Sequence, residues 1–197
     1  AVVNMLPLQP GERIQGLLAL RTMDQPDKYV VTVTRRGVIK RTELPAYANI
    51  RSGGIIALLL DDGDQLISVH LVGDTDHIFI ATKDGMAIRF PVGDVRPMGR
   101  PSRGVRGIDL REGDEVISAS VVSGTMEILS VTALGYGKRT ALEEYREQGR
   151  GGLGLINLKI SEKTGPVVAA LPVTADDEII AATKLGMVIR TTCGEIS

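Results

Sequence analysis

Short apolar runs alternate with polar turns that contain glycine along most of this chain, and one such arrangement recurs four times. Each copy has an apolar run that ends in Thr, two variable residues, a Gly and a second run. The threonines stand at positions 34, 82, 132 and 183, about 48 to 51 residues apart. The four copies are Tyr29–Thr42, His77–Phe90, Glu127–Thr140 and Glu178–Thr191. This pattern predicts four β-hairpins whose turn glycine adopts a positive φ.

A second unit follows these hairpins, and it consists of a Gly-rich stretch, an apolar strand, a polar turn and a last strand. The Gly-rich stretches are Arg51–Ile55, Arg103–Ile108 and Arg150–Leu155. The last strands are Leu66–Val72, Val116–Val122 and Val167–Val173, and the opening residues Ala1–Leu20 match the same unit. Each repeat therefore holds about four strands, which is the content of a propeller blade.

We therefore predict an all-β, propeller-like single domain over residues 1–197, with four-stranded blades that repeat about every 50 residues. The approximate bounds are 1–23 (a half blade), 24–75, 76–124, 125–174 and 175–197 (a half blade), roughly four blades in all. Helix is expected only as short turns near Val92–Val95 and Ala141–Glu147. The alternative is a β-sandwich whose hairpins are similar by accident. An arginine four residues after each turn glycine, at positions 41, 89, 139 and 190, argues against that alternative.

Composition narrows the class of protein. The chain is 43% hydrophobic but only 3% aromatic with no Trp, so its core must be aliphatic, which favours strands. No apolar run reaches the length of about 18–20 residues that a membrane helix needs. Cys193 is the only cysteine, which excludes an internal disulfide, and we expect a structural role for it. The chain opens in strand-like sequence without Met, and we expect it to be part of a longer protein.

The net charge of −1 hides a separation of charges along the chain. Residues 35–51 carry five basic side chains against Glu43 alone, and residues 83–106 are also mainly basic. Between them, residues 61–76 carry five aspartates and no Lys or Arg. Because equivalent halves of successive blades face the same way, we expect the basic halves to form a continuous band, which is typical of a polyanion site. Charges needed only for solubility are the alternative.

We predict a DNA path along this band. Arginines beside glycines, at Arg103, Arg106 and Arg150, let a phosphate backbone approach the main chain, so these are the strongest candidates. No recognition helix, zinc-ligand pattern or aromatic ladder is present, so contact with duplex phosphates and selection by bendability are expected. Lys40 and Arg41 are neighbours on a strand and cannot both face outward. The full predicted set is Arg35, Arg36, Lys40, Arg41, Lys83, Arg89, Arg96, Arg100, Arg103, Arg106, Lys138, Arg139, Arg146, Arg150, Lys184 and Arg190.

Three segments resemble the C-terminal domain of bacterial DNA gyrase A proteins: Arg96–Val116, Tyr136–Gly165 and Asn4–Ile14. The resemblance extends over essentially the whole chain. It implies a β-pinwheel, a disc of six blades that exchange strands with their neighbours. It also implies that DNA wraps around a basic rim with positive handedness and so supports ATP-dependent negative supercoiling.

The signature of that family, QRRGGKG, lies in the first blade of its members, and the resemblance implies that this chain begins after that blade. Its nearest equivalent here is degenerate, with Gly149 and Leu153 where the signature has basic residues, so strong wrapping by this chain alone is not expected. It comprises Gln148, Gly149, Arg150, Gly151, Gly152, Leu153 and Gly154.

The resemblance implies no catalytic residue here, because none of Tyr29, Tyr47, Tyr136 and Tyr145 stands in the family's DNA-cleaving motif. No phosphate-binding loop of the GxxxxGK[ST] type is present, and we expect no cofactor, since ATP and Mg belong to other domains. The implied partners are double-stranded DNA, the rest of the gyrase A protein and the gyrase B protein in an A2B2 enzyme, with no membrane. The implied location is the bacterial cytoplasm, at the nucleoid.

Two other functions stay open. His70 and His77 stand near Asp74 and Asp76, which suggests a metal site, but side chains on surface turns are the better interpretation, and no metal is expected. A propeller that binds proteins, or the related topoisomerase IV domain that binds DNA without strong wrapping, are the alternatives to a gyrase domain. Salt dependence separates DNA binding from protein binding, because phosphate contacts respond strongly to salt and an apolar protein interface responds weakly.

Overall fold

The fold consists of antiparallel sheets, as predicted. The computed structural model of the chain describes residues 8, 10–50 and 53–196. The strands are β1 (Tyr29–Thr34), β2 (Val38–Glu43), β3 (Leu66–Val72), β4 (His77–Thr82), β5 (Met86–Pro91), β6 (Val105–Arg106), β7 (Val116–Val122), β8 (Glu127–Thr132), β9 (Gly137–Ala141), β10 (Leu155–Ile156), β11 (Val167–Val173), β12 (Glu178–Ala182) and β13 (Val188–Thr192). The predicted all-β class is confirmed, since the described residues contain no α-helix.

The four predicted hairpins form, and their turns explain the repeated Thr and Gly. β1–β2, β4–β5, β8–β9 and β12–β13 are antiparallel pairs. The turn glycines 37, 85, 135 and 186 have φ between 77° and 86°. In three turns the Thr hydroxyl accepts a hydrogen bond from the amide just after the glycine, as from Val38 to Thr34 at 3.2 Å. The pair therefore closes the turn from both sides.

Each four-stranded sheet takes its outer strand from the next repeat. The strand orders are β3-β1-β2-β6 for the first blade and β10-β5-β4-β7 for the second. The third blade, β11-β8-β9, has three strands, and the last hairpin, β12–β13, stands as a pair. Strands β3, β7 and β11 contact one another across neighbouring blades, so they form the inner edge. The short strands β6 and β10 consequently lie at the outer edge.

Short 3-10 turns follow the second strand of each hairpin. They span Leu44–Tyr47, Val92–Asp94, Leu142–Glu144 and Cys193–Glu195. The two turns expected near Val92–Val95 and Ala141–Glu147 are present but shorter than their predicted ranges.

The apolar core lies between successive blades. One buried cluster joins Ile39 of the first blade to Ile80, Ile88 and Phe90 of the second. Another joins Phe79 to Ile128 and Leu142 of the third. Burial of each such side chain stabilises the fold by about 1.5–3 kcal/mol. A blade without a neighbour would leave one of these faces in water.

Two expected strands are absent among the described residues. Neither residues 10–23 nor residues 53–60 form a strand, although both match the unit that yields β6 and β10. The physical reason is that β6 and β10 pair with the preceding hairpin, and no hairpin precedes β1 in the described chain. Residues 1–7, residue 9, Arg51, Ser52 and Ser197 lie outside the described residues, and with them part of the Asn4–Ile14 motif.

Candidate nucleic-acid interface

Three Gly-rich segments lie side by side at the outer edge of the blades. We call residues 53–59, 99–109 and 149–154 the loop edge. The amide of Leu59 donates to the Ser102 carbonyl at 3.0 Å, which joins the first segment to the second. The Gly151 amide donates to Gly107 at 2.7 Å, and the Asp109 amide donates to Gly152 at 2.8 Å, which join the second to the third. The loop edge is thus a continuous strip across three repeats.

Two glycines let this strip lie against the blades. Gly104 has a φ of +109°, and a Cβ added there would lie 2.6 Å from the Ile39 carbonyl oxygen. Gly154 has a φ of +75°, and a Cβ would lie 2.2 Å from the carbonyl oxygen of Ala87. No residue with a side chain fits either position without movement of the backbone, so these glycines hold β6 and β10 on the preceding blade.

Arg100 and Arg150 occupy equivalent positions in the loop edge, four residues before those glycines. Arg100 Nη1 donates to the Ile56 carbonyl at 3.2 Å, and Arg150 Nη1 donates to the Arg106 carbonyl at 3.1 Å. Arg150 Nε also donates to the carbonyl of Asp94 at 3.0 Å. Each guanidinium therefore joins its segment to the preceding one, and its further N–H groups, which have no partner among the described residues, can donate to an anion.

Arg103 and Arg106 project from the middle segment of the loop edge into solvent. Their side chains are 69% and 65% exposed, and each contacts one carboxylate. Arg103 Nε lies 2.8 Å from Asp61, and Arg106 Nη1 lies 2.9 Å from Asp109. Exposed pairs of this kind are worth about 0–1 kcal/mol, so a phosphate can displace either carboxylate.

Five further predicted cations are exposed and have no side-chain partner within the described part of the chain. Arg96 and Arg146 directly follow the residues that close the 3-10 turns of the second and third blades. The others lie on hairpin turns or on the outer strand β9, and they are Arg36, Lys138 and Lys184.

The arginines of the hairpin repeat have a different environment from those of the loops. Arg41 is 3% exposed, stacks over the Tyr29 ring at 3.6 Å and contacts Asp74 and the Val95 carbonyl. Arg89 donates to the carbonyls of Leu142 and Tyr145, and Arg139 donates to those of Gly194 and Ile196. Arg139 also pairs with Glu127 and Arg190 with Glu178. The hairpin arginines thus bind the protein itself.

Lys40 is also buried, so neither it nor Arg41 faces solvent. Its Nζ donates to the carbonyl of Ala57 at 2.5 Å and to that of Arg100. Burial, and then the charge of Arg100, lower the pKa of Lys40 from 10.5 to about 8. Its ammonium therefore holds the first two segments of the loop edge together from behind.

Arg35 and Lys83 lie toward the inner edge rather than the loop edge. Both contact Glu115, at 3.8 Å and 3.6 Å, and share a pocket with Ile67 and Val168 of the inner strands.

The degenerate signature, Gln148–Gly154, consists of Gln148 and the third segment of the loop edge, residues 149–154. The Gln148 amide donates to the Arg89 carbonyl at 3.0 Å. Leu153, at one of the two positions that have lost a basic residue, is 52% exposed. An apolar side chain thus stands in solvent beside Arg150.

The histidines are separate. His70 contacts the Ala119 carbonyl and His77 pairs with Glu147. Among the described residues, no three His, Cys, Asp or Glu side chains are grouped to hold a metal ion, and no helix there is long and apolar enough to span a membrane. Cys193 is fully buried, and burial raises the pKa of its thiol.

The sequence interpretation missed the role of the hairpin arginines. A signal for it exists twelve residues before three of the four arginines, where Tyr29, Glu127 and Glu178 supply an aromatic ring or a carboxylate. A phosphate-binding arginine has no need of a partner at a fixed spacing.

A family model described as the DNA gyrase C-terminal domain, beta-propeller, matches residues 28–72, 76–123, 127–174 and 177–197. The chain is 52% identical over 196 residues to the DNA gyrase A protein of Halalkalibacterium halodurans and 46% identical over 196 residues to that of Clostridium acetobutylicum. These alignments cover 100% of this chain but 23% and 24% of the relatives, so it spans about a quarter of their length.

Solved structures give the same result. The C-terminal domain of DNA topoisomerase IV superposes with a TM-score of 0.92 and 25% identity, covering 100% of this chain and 61% of that one. A DNA gyrase A C-terminal domain superposes with a TM-score of 0.86 and 30% identity, covering 98% and 64%.

Proposed function

The chain belongs to the family of DNA gyrase C-terminal β-propeller domains, and from that premise we propose that it binds duplex DNA along the loop edge and bends it around the blades. The observation that carries the proposal is the continuity of the loop edge. Arg100, Arg103, Arg106 and Arg150 come from two repeats, yet hydrogen bonds join their segments into one strip.

The chemistry of the strip suits phosphate rather than bases. Arginine forks match phosphate oxygens. The glycines beside Arg103 and Arg106 face the preceding blade, because a Cβ at Gly104 would lie 2.6 Å from the Ile39 carbonyl oxygen and a Cβ at Gly107 would lie 3.1 Å from that of Gly37. The expectation that these glycines let a DNA strand approach the main chain is therefore wrong. The described residues contain no α-helix that could enter a groove. Selection would therefore come from how readily a sequence bends.

The proposed contact set is narrower than the predicted one. It consists of the exposed or half-buried cations of the loop edge and its flanks: Arg36, Arg96, Arg100, Arg103, Arg106, Lys138, Arg146 and Arg150. We leave out Lys40, Arg41, Arg89 and Arg139, because their charged groups bind carbonyls inside the protein. Arg35 and Lys83 are left out because they pair with Glu115 toward the inner edge, and Lys184 because it stands at their position in the repeat. Arg190 is left out because it pairs with Glu178 at the repeat position of the hairpin arginines.

For the longer protein, we propose that this domain is a non-catalytic part of a DNA gyrase A protein in the bacterial cytoplasm. It would act with the rest of that polypeptide and with the gyrase B protein in an A2B2 enzyme that supercoils DNA negatively with ATP. The domain itself would need no cofactor, because its role is to hold and bend the duplex.

The test is a salt titration of duplex binding. Reversing Arg103, Arg106 and Arg150 to Glu removes three phosphate contacts, so the slope of log K against log salt falls by about 2.7, at about 0.9 per contact. At about 0.1 M salt, that corresponds to a loss of up to roughly 500-fold in affinity.

A matched control reverses Arg111, Lys159 and Lys163, three exposed cations near the polar turns. Both triple variants change the net charge from −1 by −6, to −7. We expect the control to keep a slope close to that of the parent chain. Equal losses in the two variants would mean that net charge, and not the loop edge, governs binding.

A second candidate is DNA binding without strong wrapping, the alternative given above as a topoisomerase IV-type domain. The missing charges at Gly149 and Leu153 favour it. Bending a short site by 40–90° requires about 1–6 kcal/mol, and a small number of phosphate contacts does not supply that energy. We expect ligation of a relaxed circle with this chain to trap little positive writhe, and strong positive writhe would refute the weak-wrapping mode.

A further inference from the structure

One contact recurs between every pair of successive blades. The hairpin arginine of one blade donates to carbonyls of the 3-10 turn of the next. Arg41 reaches Val95 at 3.4 Å, Arg89 reaches Leu142 at 2.9 Å and Tyr145 at 3.4 Å, and Arg139 reaches Ile196 at 2.7 Å. Three instances of the same contact indicate a function of the repeat and not of one blade.

The contact holds the end of each turn, where a helical turn has carbonyls without internal partners. A second hydrogen bond continues the attachment along the same strand. The Met98 amide donates to the Arg41 carbonyl at 2.9 Å, and the Gln148 amide donates to the Arg89 carbonyl at 3.0 Å. Residues 95–98 and 145–148 are therefore fixed at both ends to the preceding blade.

Each of these fixed segments contains one exposed cation. Arg96 follows Val95, and Arg146 follows Tyr145. Neither side chain contacts an acidic partner within the described ranges, yet the main chain beneath each is anchored. The buried or half-buried arginine of one blade thus determines where the exposed arginine of the next blade stands.

We infer that Arg41 and Arg89 are positioning residues for DNA, which act by holding Arg96 and Arg146 at a fixed place on the path without touching DNA themselves. The inference rests on the proposed function for its DNA readout. It assigns the repeated arginine to alignment of successive blades, so that the cations follow the curve of the duplex.

Arg89 offers the clean test, because no carboxylate pairs with its guanidinium in the described structure, so its removal leaves no unpaired acid. We compare Arg89→Met, Arg146→Met and the double variant by salt titration of the full chain on duplex DNA. Arg146→Met lowers the slope by about 0.9, the share of one phosphate. Arg89→Met lowers it by a similar amount, and the double variant lowers it no further than Arg146→Met alone.

Arg89→Lys keeps the charge but lacks the planar fork that reaches two carbonyls, so it lowers the slope partly. Arg111→Met, which removes one exposed charge near a polar turn, leaves the slope unchanged. An additive loss in the double variant would show that Arg89 itself contacts phosphate, and an unchanged slope in Arg89→Met would show that it does not position Arg146. Either result overturns the inference.

Amide hydrogen exchange separates this inference from the proposed function. In Arg89→Met, the Tyr145 and Gln148 amides should exchange faster, while the Val95 amide in the equivalent turn, held by Arg41, stays protected. Unchanged exchange at Tyr145 and Gln148 refutes the holding role even where DNA binding is intact. Faster exchange in a chain that binds no duplex supports the holding role and refutes only the proposed function.

Discussion

The pairing of the exchanged outer strand β10 with β5 depends on the absence of a side chain at Gly154, and Gly154→Ala tests this dependence. Gly154 precedes β10, which pairs with β5 through Leu155 opposite Ala87 and Ile156 opposite Met86. An alanine Cβ would lie 2.2 Å from the Ala87 carbonyl oxygen and 2.8 Å from the Ala87 carbonyl carbon. Both are backbone atoms inside a sheet, so β10 has to move away from β5.

Two effects add up in this variant. The left-handed conformation at φ +75° destabilises alanine by about 1–2 kcal/mol. Displacement of β10 weakens about two backbone hydrogen bonds, each with a net value of about 0.5–1.5 kcal/mol. We therefore expect Gly154→Ala to lower the free energy of unfolding by about 2–5 kcal/mol.

Gly113→Ala is the matched control. Gly113 has nearly the same backbone conformation, with φ +79°, but a Cβ there meets no atom within 4 Å. Only the conformational effect of about 1–2 kcal/mol applies to it. Urea unfolding monitored by circular dichroism should separate the free energies of unfolding of the two variants by about 1–3 kcal/mol. Thermal unfolding should separate their melting temperatures by about 2–12 °C. Equal destabilisation would show that the close approach to Ala87 does not hold the exchanged strand.

Three further predictions concern buried polar groups. Because the pKa of Lys40 is about 8 in the folded chain and 10.5 when unfolded, the unfolded state binds more protons between these pH values. The stability difference between the parent chain and Lys40→Met should therefore rise with pH across that window, as urea titrations would show. Tyr145→Phe loses the bond from the Tyr145 hydroxyl to Asn157 Oδ1 (2.5 Å) and should destabilise the chain by about 1–2 kcal/mol in the same assay. The thiol of Cys193 is buried and its pKa is raised, so a thiol reagent at pH 8 should modify it only after urea unfolds the chain.

Local physical chemistry made the hairpins predictable. A turn that needs positive φ selects glycine, and a hydroxyl that closes the turn selects threonine, so both residues appear at fixed positions. Continuous apolar runs supply the rest of the signal, because strands such as β1 and β4 are buried on both faces. Pattern alone did not reveal which blade receives each outer strand. β6 and β10 have two residues each, and their place depends on glycines 104 and 154 fitting against another repeat.

The position of the charges was less predictable, because a sequence shows the sign of a side chain but not its partner. Arg41 and Arg103 both look like basic residues near a glycine. In the structure, Arg41 is 3% exposed among Asp74, Tyr29 and a carbonyl, whereas the side chain of Arg103 is 69% exposed. The contacts of Arg41 with Asp74 and Val95 join residues more than thirty positions apart, which no local pattern encodes. Only its contact with Tyr29, twelve positions away, leaves a signal in the sequence.

The repeat itself explains why the hairpin arginines contact protein and the loop arginines are exposed. A residue that recurs at the same place in every repeat meets the same surroundings in every repeat, and in a stack of blades those surroundings are the neighbouring blade. The hairpin arginines recur strictly and contact protein. The exposed arginines at 103 and 106 have Leu153 and Ile156 as their equivalents in the next repeat, so the scaffold does not require a charge there. Positions that differ between repeats are therefore the ones where ligand binding selects the residue. Gly149 and Leu153 are such positions, as is Arg103. Leu153→Arg should therefore raise the salt slope of duplex binding by about 0.9, because it adds one phosphate contact to a strip already in place. A further arginine at a strictly repeated, buried position should only destabilise the blades.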